Sequence, residues 1–230
     1  MTQKCPSALV LLSGGLDSSV LLHLVRRRLC DGPVHALSFD YGQRHVRELD
    51  CARRQAALAG AAAHTVLDVS FMAELVRGDT ALVRGGAEVP DLAELDEAAR
   101  RQPPTYVPNR NMMLLSLAAA HAEALEIRDV FYGAQAQDEY GYWDCTQEFL
   151  DRLNGVLALN RGDAVVVHAP LMQNGKAENV RLGMELGVDF AQTWSCYRGG
   201  ELACGTCPTC VERLKAFAEV GVADPVGYGR

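Results

Sequence analysis

The chain reads as an α/β domain built on a parallel sheet flanked by helices, and three observations lead there. Short apolar runs rich in Val, Leu, Ile and Phe alternate with helical patterns along most of the length, the order expected when helices cross over a parallel sheet. The first apolar run passes into the first helix through Ser13-Gly14-Gly15, a turn whose glycines admit φ > 0 and whose helix start offers backbone N–H groups to an anion. Polar motifs gather just after the strands, where open α/β sheets bind their ligands.

Taken in order, Ala8 to Leu12 forms the first strand, and Val20, Leu21, Leu22, Leu24 and Val25 are the apolar side of the helix after it. Val34 to Phe39 is the second strand, and Arg47 to Leu58, rich in Arg, Glu and Ala, is the second helix. Thr65 to Val69 is a third strand, Asn111 to Ile127 an apolar helix, and Val130 to Gly133 a fourth strand. Glu148 to Leu159 is a helix, Val165 to His168 a fifth strand, and Val211 to Val220 a short closing helix. Between Arg77 and Thr105 Gly, Pro and acidic residues interrupt the alternation. This stretch is expected to be a partly helical insertion, a solvated surface excursion in preference to a lid. The expected organisation is a main domain over residues 1–190 with a small segment, 191–230, packed on it.

At 230 residues the chain suffices for one sizeable core. No apolar run approaches the ~20 residues of a membrane span, and the start carries no secretory pattern, so a cytoplasmic protein without disulfides is expected. The net charge of −7 opposes a broad nucleic-acid footprint and favours a small-molecule substrate.

Two local patterns carry chemistry. Ser13-Gly14-Gly15-Leu16-Asp17-Ser18 lacks the Gly-Lys-Ser/Thr of a Walker A loop and the Rossmann Gly-x-Gly-x-x-Gly. Its serines supply hydroxyl donors and Asp17 a ligand for magnesium or its waters. The motif resembles the pyrophosphate loop of the ATP pyrophosphatases, which split ATP between the α and β phosphates. Toward the C-terminus, Cys196, Cys204, Cys207 and Cys210 stand in a C-x7-C-x2-C-x2-C pattern with Gly199, Gly200, Gly205 and Pro208 among them. Four closely spaced thiolates suit a tetrahedral zinc ion, and a closed sulfur shell gives that ion a structural role. The scattered Cys5, Cys30, Cys51 and Cys145 read as small buried hydrophobes.

Further motifs follow in order: Asp40-Tyr-Gly-Gln-Arg-His45 with Glu48, Tyr106-Val-Pro-Asn-Arg-Asn111, Gly141-Tyr142 with Asp144-Cys145 and Glu148-Phe149, and Thr193-Trp-Ser-Cys196. Together with the loop and the cysteines, they make essentially the whole chain resemble the 7-cyano-7-deazaguanine synthase family. The resemblance implies an adenine nucleotide alpha hydrolase-like, pyrophosphate-loop fold and a homodimer. It implies conversion of 7-carboxy-7-deazaguanine and ammonia to the 7-cyano compound, with ATP and Mg2+ as cofactors and Zn2+ as a structural ion. By resemblance, Leu12, Ser13, Gly14, Gly15, Leu16, Asp17, Ser18 and Ser19 form the ATP loop, and Lys176 neutralises phosphate charge. Ser13, Asp17, Ser18 and Lys176 are the expected catalytic residues. Arg110 and Asn111 reach nucleotide phosphates or the substrate carboxylate. Gln43, Arg44 and His45 border the same crevice, with Arg44 suited to a bidentate carboxylate contact. Asp138 and Asp144 accept from ring N–H and amino groups, or cap a nearby turn or helix. Tyr142 or Trp143 stacks on the base or simply packs.

The chain also departs from the family pattern. Tyr140 stands where Ser is usual, Trp143 replaces Pro, Thr146 replaces Arg, and Asn109 replaces the Gly before Arg110. These changes keep open a specialised relative that stops at an amide or joins the deazapurine to another acceptor. A pyrophosphate-loop enzyme that modifies tRNA is a further alternative, opposed by the acidic charge.

Overall fold

The computed structural model describes residues 4–43, 47–76, 80–82, 88–95, 104–135, 142–160 and 162–229. The five strands β1 (Ala8–Leu11), β2 (Val34–Asp40), β3 (Ala63–Asp68), β4 (Asp129–Phe131) and β5 (Val166–His168) pair in the order β3-β2-β1-β4-β5, every pair parallel. Strand β1 is the centre of the core: Ala8, Leu9 and Val10 are fully buried. Burying a Leu or Val side chain contributes about 1.5–3 kcal/mol, which is why this run is continuous rather than alternating.

The helices are α1 (Leu16–Leu24), α2 (Arg47–Ala59), α3 (Phe71–Leu75), α4 (Arg110–Ala124), α5 (Gln147–Leu157), α6 (Lys176–Glu185) and α7 (Pro208–Val220). One face of the sheet packs on α1, α6 and α7 through Val10, Val20, Val180, Phe190 and Phe217. The opposite face packs on α3, α4 and α5 through Leu9, Met72, Leu115, Val130 and Phe149. The chain turns from one side of β1 to the other between β3 and β4, so the carboxyl ends of β1 and β4 border the switch-point crevice.

Several boundaries differ from the sequence reading. Strand β3 spans Ala63–Asp68 instead of residues 65–69, because its register on β2 begins at the His35–Ala63 pair. The last helix starts at Pro208, not residue 211, since proline at the first helical position has no N–H to leave unsatisfied. Helix α3 has no counterpart in the sequence reading. The interrupted stretch after Val76 is not a solvated excursion where it is described. Ala81, Leu82, Val89 and Leu95 are buried, Ala81 N–H donates to Pro104 O, and Leu92 N–H donates to Thr206 O. Arg198 donates to Val89 O and to Asp91 Oδ1 at 2.7 Å. Few apolar residues suffice to dock it, because they fall at the contact points.

Candidate active site

A cleft of about 330 Å³ opens at the carboxyl ends of β1 and β4, and the Ser13–Ser18 loop forms one wall. The loop is shaped from behind. Gly14 has φ +85°, and a Cβ there would lie 2.1 Å from Glu48 O and 2.6 Å from Ala52 N of α2. Only glycine fits this approach. Gly15 caps α1 with extended backbone. Ser13 Oγ and Ser18 Oγ stand 2.9 Å apart, and Gly15 N–H donates to Ser13 Oγ at 3.2 Å. Leu12, Ser13, Gly15, Leu16, Asp17 and Ser18 line the cleft. Gly14 and Ser19 do not: Gly14 backs onto α2, and the buried Ser19 hydroxyl donates to Gly15 O at 2.7 Å.

Asp17 projects from the first turn of α1 toward the start of α6. Lys176 Nζ donates to Asp17 Oδ2 at 2.8 Å, and Asn179 Nδ2 donates to Asp17 Oδ1 at 2.8 Å. Both donors lie on one face of α6, three residues apart. Asn179 is fully buried and also accepts from Asn174 Nδ2 at 2.9 Å. The amine and the carboxylate are thus set at the loop within reach of phosphate.

The facing wall comes from the head of α4 and the short turn before α5. Burial works against the Arg110 cation, but Tyr41, Tyr197, Asp144 and Tyr142 around it outweigh that penalty and hold it charged. Its guanidinium lies 6.0 Å from the Tyr41 ring centre. Asp144 is buried, which pushes its carboxyl up; Arg110 and the backbone N–H groups of Asp144 and Asn111 oppose that rise. Asn111 lines the cleft and donates from Nδ2 to Cys145 Sγ at 3.7 Å. Asn109, at the helix cap, sits at φ +53°. Asparagine tolerates the left-handed region better than most residues, so it replaces the family's glycine there at little cost.

Gln43 lines the cleft but spends its amide on the backbone: Oε1 accepts from Tyr41 N–H and Nε2 donates to Phe39 O. It braces the turn after β2. Tyr142 lines the cleft and stacks on Tyr106 with ring centres 6.1 Å apart. Trp143 is half-exposed, packs edge-on against Phe149, and donates to Tyr106 Oη at 3.1 Å. Thr146, where the family has arginine, caps α5 by accepting from Phe149 N–H. Arg44, His45, Asp138 and Tyr140 lie outside the described residues.

The cysteine segment reaches the same cleft. The Sγ atoms of Cys196, Cys204, Cys207 and Cys210 all lie within 4.8 Å of one another. A tetrahedron with ~2.3 Å metal–sulfur bonds has sulfur–sulfur edges of about 3.8 Å, and Cys204 and Cys210 are already 3.9 Å apart. Cys204 N–H points at Cys196 Sγ and Cys207 N–H at Cys204 Sγ, donors suited to thiolates. The four cysteines therefore fit a metal ion. Trp194, just before them, donates its backbone N–H to Gly14 O at 2.9 Å, and Arg47 lies 4.2 Å above its ring. Pro208, Thr209, Glu212 and Arg213 of α7 also line the cleft. The cysteine segment is thus a wall of the site, not a remote appendage.

Residues that the sequence reading missed include Asn179, Tyr132, Tyr197 and Glu212. For Asn179 a signal existed, its place three residues after Lys176 on a helix. The others become site residues only through packing.

Comparisons with known proteins show the family and the fold. The family model described as queuosine biosynthesis protein QueC matches residues 7–221. A 7-cyano-7-deazaguanine synthase of Clostridium kluyveri is 42% identical over 227 residues, covering 96% of this chain and 97% of that protein. One of Marinobacter nauticus is 44% identical over 224 residues, covering 97% and 98%. Among solved structures, the U34-tRNA thiolase NcsA of Methanococcus maripaludis shares the fold, with a TM-score of 0.53 and 13% identity over 85% of this chain and 61% of that one.

Proposed function

This chain belongs to the family of queuosine biosynthesis protein QueC, and on that premise we propose that its cleft makes 7-cyano-7-deazaguanine from 7-carboxy-7-deazaguanine, ammonia and ATP. The observation that carries the reading is the Ser-Gly-Gly-Leu-Asp-Ser loop at the sheet's switch point, with Lys176 and Asp17 paired 2.8 Å apart beside it.

A carboxylate is a poor electrophile, so the reaction begins by activating it. The substrate carboxylate oxygen attacks the α-phosphorus of ATP, the bond to the β-phosphate breaks, and pyrophosphate leaves. Ammonia attacks the resulting acyl adenylate, AMP departs with the carboxylate oxygen, and loss of a proton leaves the amide. The amide oxygen then attacks a second ATP, pyrophosphate leaves again, and loss of AMP and the N–H protons yields the nitrile. One loop serves both adenylations. The chemistry rests on positioning and charge neutralisation at phosphate.

In this reading Ser13, Gly15 and Ser18 cradle pyrophosphate, and Lys176 neutralises it. Asp17 would hold a magnesium ion, which would supply charge neutralisation at phosphate; each of its oxygens keeps a lone pair beyond the bonds from Lys176 and Asn179. Arg110 takes the substrate carboxylate, and Asp144 accepts from the ring N–H. The four cysteines would hold zinc, which would pin the segment that braces Gly14. The catalytic unit is a cytoplasmic homodimer of chains in which 191–230 packs on 1–190. The alternative of a relative that stops at an amide is not favoured, because the relatives matched over nearly their full length are cyano-forming synthases.

The test is mass spectrometry of a reaction containing the protein, ATP, magnesium, ammonium and 7-carboxy-7-deazaguanine, with AMP counted. The nitrile with two AMP per product, and neither from Asp17→Ala, supports the reading. AMP with an amide as the end product refutes the nitrile step, and no AMP refutes the acceptor.

A further inference from the structure

One polar group in the cleft has no role in the reading above. Tyr132 follows β4 directly and donates its backbone N–H to His168 O at 3.0 Å. It shares a sheet face with Val130, so its ring enters the apolar layer with Leu115 and Phe149. The residue is only 5% exposed, and among the described residues its hydroxyl is one of two buried side-chain polar atoms without a hydrogen-bond partner. Such orphans are rare in native structures and call for an explanation. Tyr132 is also one of the residues that line the cleft, as are Gly133, Asp144 and Cys145. Burial, then the neighbouring Cys145 and Asp144, keep the phenol protonated, so it stands as a donor.

A donor next to a buried carboxylate forms a pattern. A ring lactam, with N–H beside C=O, presents a donor and an acceptor on one edge, and its complement is an acceptor beside a donor. Asp144 supplies the acceptor. We infer that the Tyr132 hydroxyl is a specificity-determining group that donates to the ring oxo oxygen of the deazapurine while Asp144 accepts from the adjacent ring N–H. The inference rests on the proposed function for its substrate. The hydroxyl has no partner among the described residues, so that the base supplies one, and a ring lacking the oxo group leaves it unsatisfied.

The test compares wild type with Tyr132→Phe by isothermal titration calorimetry, using 7-carboxy-7-deazaguanine, its analogue with hydrogen in place of the ring oxygen, and a non-hydrolysable ATP analogue. Thermal unfolding of the free proteins is measured alongside. The expected result is base affinity lowered about 5- to 100-fold, unchanged affinity for the nucleotide, and a ratio near one on the deoxo analogue. The free variant should melt no lower than wild type, because no bond is lost. A merely structural hydroxyl would lower the melting temperature, and that outcome overturns the inference. So does equal base affinity in the two proteins, a weakened nucleotide, or a ratio that persists on the deoxo analogue. If wild type binds the nucleotide but no base, the proposed substrate falls, and this inference with it.

Discussion

Replacing Gly14 with alanine tests how the loop is held, and the structure supplies its own control. At φ +85° an alanine pays about 1–2 kcal/mol for the left-handed backbone. Its methyl would also sit 2.1 Å from Glu48 O and 2.6 Å from Ala52 N. Both are backbone atoms of a helix, so the loop must move, and overpacking of this kind adds about 1–3 kcal/mol. The sum is about 2–5 kcal/mol, a fall in melting temperature of roughly 4–20 °C for a chain of this size. Gly221, at φ +81°, has nothing within 4 Å of its hypothetical Cβ. Gly221→Ala therefore isolates the backbone cost, and its expected fall is about 2–8 °C. Activity separates the two variants further. Displacing Ser13 and Gly15 by about an ångström is expected to slow AMP formation roughly 100-fold in Gly14→Ala, with Gly221→Ala near wild type. The assays are calorimetry and timed AMP release below both transitions. A Gly14→Ala protein no less stable than Gly221→Ala, with AMP formation intact, refutes the reasoning.

Two other expectations concern metal and pH. Elemental analysis should find one zinc per chain, and stripping it with a strong chelator should lower the melting temperature by roughly 10 °C or more and slow AMP formation, because Trp194 then loses its hold on Gly14 O; iron in place of zinc, or a chelated protein of unchanged stability, counts against the assignment. His23 and His64 are both held below their ordinary 6.5, chiefly by burial. Below that value the unfolded chain takes up protons that the folded chain refuses, so stability falls as pH drops from 7 toward 5.5, by up to about 1.4 kcal/mol per pH unit for each group. Urea unfolding of the metal-loaded protein across that range checks the sign, and His64→Gln should shallow the slope; a flat profile in wild type is the contrary result.

The parts of this protein legible in its sequence are those fixed by neighbours along the chain. Alternating apolar runs announced the strands, because burial on both faces of a parallel sheet demands continuous Val and Leu. The glycines and serines after β1 announced the turn into α1, and C-x7-C-x2-C-x2-C announced the sulfur cluster, because each is one short loop whose geometry its own residues set. Tertiary packing decided the rest. Asp17 meets Lys176 across 159 positions and Asn179 across 162, and only the packing of α1 on α6 brings them together. The docking of Val89 and Asp91 under Arg198 follows from contacts 109 and 107 residues apart. Tyr132 reads from sequence as one more aromatic at a strand end. Its hydroxyl becomes a candidate binding group only because the sheet, α4 and α5 bury the ring at the edge of the cleft and leave the oxygen without a partner among the described residues, an arrangement of long-range contacts that no local pattern of residues encodes.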